Sequence, residues 1–164
     1  CRREHQRFAE ALADAGVDLI LCETFTHPRE ALTAVECALS TGLPVWLSLC
    51  RGPTEEILCP SAILDTGERA VELGAAAILV NCSPLSIATE LLPKMNTLSS
   101  RIGCYANVGS PDAQEGWISR GESSAMAYAK AAATWIALGA DIVGGCCGTG
   151  PDHIKAIADL RDSD

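Results

Sequence analysis

The chain has 164 residues, 48% of them hydrophobic and 20% charged, which is the composition of one globular domain and not of a disordered segment. Its formal net charge of -9 disfavours a nucleic-acid partner, whose phosphates it would repel. No apolar run approaches the ~18 residues that a membrane helix needs, and no charged-then-apolar leader is visible, so neither a membrane nor a secreted location is expected.

The sequence opens on Cys1 rather than Met, which suggests a start inside a larger reading frame or a trimmed chain. Its first apolar run, over 18–22, reads as a strand, and a helical pattern over 29–40 follows Pro28, a residue suited to a first helical position. A second strand is expected over 45–49, then a long connection over 51–66. A third strand covers 77–81, and Ser83-Pro84 has the form of a helix cap followed by a first-turn proline. A fourth strand over 102–106 leads into a second long connection over 108–122, which carries Trp117. A helix over 124–138, a strand over 141–145 and a last helix from Pro151 complete the chain. The strands are continuously apolar rather than alternating, as parallel strands buried on both faces are. Strand and helix in turn give a parallel sheet with crossover helices.

Three units end their helix alike, in Ala15-Gly16-Val17-Asp18, Leu73-Gly74-Ala75-Ala76 and Leu138-Gly139-Ala140-Asp141. Each glycine suits a left-handed helix terminus. Aligned on these glycines, Glu23, Asn81 and Cys146 fall at one level, and Thr24, Cys82 and Cys147 at the next. The carboxyl ends of parallel strands, where such folds build their sites, therefore bear a carboxylate, an amide and three thiols. Five units fit either an open doubly wound sheet or part of an eight-unit barrel, which needs ~250 residues. No dinucleotide fingerprint is present, since Gly148-Thr149-Gly150 lacks a third glycine and follows the last strand.

The nine cysteines are an odd, scattered set, unlike a disulfide framework. Cys1, Cys22, Cys37, Cys50, Cys59 and Cys104 read as small buried hydrophobes in a reducing cytoplasm. Cys82 and the Cys146-Cys147 pair could supply three ligands to zinc, leaving a fourth position open. Adjacent residues of a regular strand face opposite ways, so that pair needs the strand to break, which Gly144, Gly145 and Gly148 permit. Two other readings stand beside the metal: buried thiols at a tight turn, and a phosphate site at Cys147-Gly148-Thr149-Gly150, near which Lys155 is the available cation. Three thiolates would leave zinc with net negative charge, which suits alkyl transfer to sulfur better than activation of water.

Val80-Asn81-Cys82-Ser83-Pro84, with Gly144-Gly145-Cys146-Cys147-Gly148-Thr149 and Pro151-Asp152-His153-Ile154, strongly resembles the homocysteine S-methyltransferase family. Leu21-Cys22-Glu23-Thr24-Phe25 resembles its fourth strand end. Tyr105-Ala106-Asn107-Val108-Gly109 resembles its seventh, with Ala106 where proline is more usual. The resemblance implies an α/β fold, a (β/α)8 TIM barrel, here incomplete at about five βα units, strands four to eight, with residues 1–164 as one partial barrel domain. It implies Zn2+ held by Cys82, Cys146 and Cys147, and a substrate pocket with Glu23 on the homocysteine ammonium group and Asn81 and Asn107 nearby. His153 reads as a surface residue at a helix start. The implied reaction is methyl transfer from a small donor, such as S-adenosylmethionine or S-methylmethionine, to the homocysteine thiol, giving methionine. The competing expectations are an inactive zinc-binding barrel fragment and a metal-free barrel enzyme acting on a phosphorylated metabolite.

Overall fold

The computed structural model describes residues 1–52, 57–112, 116–118 and 124–162, with the backbone alone for 110–112, 116–118 and 161–162. In chain order the elements are α1 (Arg2–Asp14), β1 (Ile20–Phe25), α2 (Pro28–Leu39), β2 (Val45–Cys50), α3 (Pro60–Leu73), β3 (Ala77–Pro84), α4 (Leu85–Met95) and β4 (Arg101–Asn107). A short antiparallel pair follows, β5 (Ser110–Asp112) with β6 (Gly116–Ile118). Then come α5 (Ala125–Ala137), β7 (Ile142–Gly145), α6 (Pro151–Ala158) and a 3-10 turn over Asp159–Asp162.

The main sheet has five parallel strands in the order β1-β2-β3-β4-β7. Each strand adds beside its predecessor and the order never reverses. A doubly wound sheet reverses at its switch point, whereas a barrel does not. The topology is therefore the arc of a (β/α)8 barrel, and the open-sheet alternative falls away.

Alternation along the strands divides the two faces. Ile20, Cys22, Leu47, Leu49, Ile78, Val80, Ile102, Cys104 and Ala106 join the core beneath the helices. Leu21, Trp46, Ser48, Asn81, Tyr105 and Ile142 occupy the intervening positions and line the concave face. All three repeat glycines adopt the left-handed conformation that ends a helix: Gly16 at φ 80°, Gly74 at 116° and Gly139 at 101°.

Three expectations need correction. Helix α3 starts at Pro60, so the connection over 51–66 ends seven residues early; the buried face of Ile63, Thr66, Gly67 and Ala70 belongs to a helix. Residues 53–56 of that connection, 113–115 and 119–123 of the second, and the Trp117 side chain lie outside the described residues. Ser83 does not cap α4. Strand β3 runs on to Pro84, and the Ser83 hydroxyl turns inward to donate to the Asn81 carbonyl at 3.0 Å. Among the thiols, Cys22, Cys37, Cys50 and Cys104 are buried as expected, but Cys1 and Cys59 are exposed. Among the described residues, no helix is long and apolar enough to cross a membrane.

Candidate metal and substrate site

Strands β1 and β3 end in the same irregularity. Pairing of β1 with β2 slips between Cys22 and Phe25, and pairing of β3 with β4 slips between Asn81 and Pro84. Within each slip one residue has positive φ, Thr24 at 60° and Cys82 at 50°. These are the two residues that the glycine alignment placed at one level. Asn81 ties the two ends together. Wholly buried, it donates from Nδ2 to the Thr24 hydroxyl at 2.7 Å and accepts from the Ser48 hydroxyl on Oδ1 at 2.8 Å. The Cys50 thiol donates to the Cys82 carbonyl at 3.4 Å, and the Arg51 amide donates to the Ser83 hydroxyl at 3.2 Å. The backbone on either side of Cys82 is thus held from within the sheet.

Strand β7 stops at Gly145, so Cys146 and Cys147 lie beyond the pleat. The Cys146 amide still reaches the Ala106 carbonyl at 3.0 Å, and the Cys147 carbonyl accepts from the Val108 amide at 2.8 Å. Thr149 then closes the turn, its amide and hydroxyl donating to the Cys146 carbonyl at 3.1 and 2.7 Å. That closure explains Gly145. A Cβ there would lie 2.4 Å from the Thr149 hydroxyl and 2.8 Å from its Cβ. Gly148, at φ 80°, supplies the reversal.

The result brings the three expected thiols together. The Sγ atoms of Cys82, Cys146 and Cys147 all lie within 4.8 Å of one another, and those of Cys82 and Cys147 are 3.7 Å apart. Two thiolates at ~2.3 Å on a tetrahedral zinc are about 3.8 Å apart. A disulfide needs ~2.05 Å, and all three thiols are free. Burial pushes the Cys82 thiol far up, and the neighbouring Cys146 and Cys147 add to the effect; burial also raises Cys146. Three clustered sulfurs are the donor set that a cation would convert to thiolates.

Glu23 stands exposed at the end of β1 and accepts a hydrogen bond from the Tyr105 hydroxyl at 3.1 Å, across the concave face. Burial raises the Tyr105 hydroxyl well above its usual range, and the Glu23 carboxylate pushes it further, so Tyr105 remains a donor. Asn107 ends β4, and its buried Oδ1 has no hydrogen-bond partner among the described residues. His153 is half-buried rather than a surface residue. Its Nδ1 accepts from the Gly150 amide at 3.1 Å, and its ring meets the edge of Tyr128.

Supporting roles at Tyr128 and Thr149, as at Ser48 and Tyr105, escaped the sequence reading. Tyr128, wholly buried on α5, places its hydroxyl 2.8 Å from the Gly144 carbonyl and 3.0 Å from the Ala106 carbonyl, and accepts from the Ala106 amide at 3.1 Å. It pins the seam between β4 and β7 beneath the cysteine pair. Its only signal in the sequence is an aromatic ring in an alanine-rich helix. Thr149 figures in the sequence within the glycine-flanked cysteine motif and the phosphate alternative, but with no part in closing the turn.

Comparison with known proteins bears on the fold and the family. Solved structures with the same fold include type I 3-dehydroquinate dehydratase from Clostridium difficile, at TM-score 0.61 and 16% identity, covering 100% of this chain and 63% of that one. The carboxyl transferase domain of Rhizobium etli pyruvate carboxylase has TM-score 0.61 at 12% identity, over 99% of this chain and 31% of that one. These are TIM-barrel enzymes, and at such identity the likeness is one of fold. Betaine–homocysteine S-methyltransferase 1 of Rattus norvegicus is 30% identical over 175 residues, or 94% of this chain and 42% of that protein. Homocysteine S-methyltransferase YbgG of Bacillus subtilis (strain 168) is 31% identical over 159 residues, or 94% of this chain and 50% of that protein. The chain thus spans up to about half the length of these relatives. The model of the homocysteine S-methyltransferase family matches residues 1–161, nearly the whole arc from α1 to the final turn, and the chain belongs to that family.

Proposed function

We propose that this arc carries the zinc and homocysteine site of a methyltransferase that converts homocysteine to methionine. The observation that carries the reading is the convergence of the Cys82, Cys146 and Cys147 sulfurs from two strand ends onto one point. Those three side chains would hold the metal. Zinc, when bound, would supply a fourth position for the substrate sulfur and the positive charge that keeps it deprotonated.

The chain's own residues do the rest. Glu23 accepts hydrogen bonds from the substrate ammonium group, with Tyr105 fixing its carboxylate. Asn107 offers the substrate an acceptor that is already desolvated. Asn81 serves the site at one remove, because both atoms of its amide are engaged in aligning Cys82. In the reaction the homocysteine sulfur contributes the electron pair of the new S–CH3 bond. The bond from methyl to a positively charged donor breaks, and its electrons neutralise the donor. S-adenosylmethionine, S-methylmethionine and betaine all fit that requirement. The nine free thiols suit a reducing compartment, and we place the protein in the cytoplasm.

The test separates metal from substrate. Serine at Cys82, Cys146 or Cys147 should abolish bound zinc, measured by elemental analysis, because a hydroxyl stays protonated where a thiol ionises. Glu23→Gln should leave zinc in place and weaken homocysteine binding. An exposed carboxylate losing a charge-assisted contact forfeits about 1.5 kcal/mol, roughly tenfold in affinity. Full zinc content in the Cys147→Ser variant would remove the reading. Methionine formation with each donor in turn identifies the donor.

A further inference from the structure

Helices α1 and α2 run side by side on the outer layer, yet little apolar surface holds α1 in place. Its one buried residue among those described is Ala9, and its links to α2 are mainly polar: Arg2 to Glu36, Gln6 to Ser40, and the Cys37 thiol to the Arg2 carbonyl. At one end of this interface three metal-ligating groups converge. Cys1 caps α1, and His5 lies one turn on, on the same face. Glu30 stands in the first turn of α2. The His5 Nε2 lies 3.2 Å from Glu30 Oε1 and the Cys1 Sγ lies 3.9 Å from the same oxygen. All three ligand atoms lie within 4.8 Å of one another.

We propose that Cys1, His5 and Glu30 form a second metal site, for zinc or a similar divalent transition ion, that clips α1 to α2. Ligand atoms on a tetrahedral zinc are about 3.3–3.6 Å apart, as the bond lengths require, so small side-chain movements close the set. One thiolate, one imidazole and one carboxylate select zinc-like ions over magnesium or calcium, which favour oxygen alone. The Cys1 thiol and the His5 ring both lie within hydrogen-bond reach of that one oxygen, which brings three different ligand types to a single point. The charge also balances. A divalent ion with one thiolate and one carboxylate is neutral, which suits a place where two helix N-termini would repel a net positive charge. The His5 ring packs against Phe25, with centroids 5.8 Å apart, which limits its rotation. This site is independent of the Cys82 cluster.

Cobalt binding decides the matter. The chain is made with a residue ahead of Cys1, so that no free amine can coordinate there. Cys82, Cys146 and Cys147 are changed together to Ser, and folding is checked by circular dichroism. This variant should still bind one equivalent of Co2+ with a sulfur-to-cobalt charge-transfer band. Further Cys1→Ser or His5→Ala should each weaken binding by at least about tenfold. Zinc, but not magnesium, should raise its melting temperature. A folded triple variant that binds no cobalt, or binding indifferent to both further changes, overturns the proposal. If the triple variant does not fold, stoichiometry in the otherwise unaltered chain decides: it should fall from two to one with Cys1→Ser, and an unchanged value refutes the second site.

Discussion

Thr24 and Cys82 occupy a backbone region that costs an L-residue about 1 kcal/mol or more, and both are at strand ends facing the site. Asn81 offsets that cost by bridging Ser48 and Thr24, which joins the Cys82 backbone to β2 and β1, the two strands on one side of β3. Thr24→Val keeps the branched shape but leaves the Asn81 amide one acceptor short. It should lower zinc affinity about tenfold or more, the usual effect of losing an outer partner of a metal site, while Thr24→Ser should bind nearly normally. Competition with a chromophoric chelator measures both; equal affinity in the two variants would show that Asn81 does not align Cys82. The residues of the thiol cluster were legible in the sequence because a thiol pair between glycines is conspicuous and the helix-ending glycines gave a ruler. The Ser48–Asn81–Thr24 bridge was not, because it joins residues up to 57 positions apart whose types are ordinary.

Among the elements, strand ends decide the chemistry and buried side chains beneath them set the strand ends. The Tyr128 hydroxyl serves backbone groups of both β4 and β7 in a dry seam. Tyr128→Phe strands those groups without a partner, and should cost about 1–3 kcal/mol. Urea unfolding should show a lower midpoint at unchanged slope, and an unmoved midpoint would mean that water replaces the hydroxyl. Strand positions and helix ends were readable because apolar runs and left-handed glycines are local signals. The pair β5 and β6 was not, since strands of three residues each carry no period. Nor was the true start of α4: Ser83-Pro84 has the form of a cap, but the slip at Cys82 carries the strand through it and spends the hydroxyl on the Asn81 carbonyl.

At the scale of the molecule, the arc has two open edges. Among the described residues, β1 bonds only to β2 and β7 only to β4 in the main sheet. In a closed barrel the first and last strands pair and no edge remains. Here Ile20 to Cys22 and Ile142 to Val143 present apolar backbone edges with no charge to discourage pairing, which makes them templates for association. Beside β1 a cavity of about 360 Å3 opens between that strand and α1, lined by Phe8, Leu12, Leu21 and Phe25, with Phe8 70% exposed. The concave face adds Trp46 and Ile142, neither fully covered. Such surface exceeds the scattered apolar residues that monomers ordinarily show. The 164-residue chain by itself should therefore self-associate, seen by light scattering behind a sizing column. It should also fail to form methionine even where it binds zinc, because a pocket walled on one side does not keep water from the reacting sulfur. Charged residues at Leu21 and Ile142 should shift the chain toward monomer if association runs through these edges. A wild-type chain that elutes as a single monomer and turns over homocysteine would show instead that five strands suffice to enclose the site.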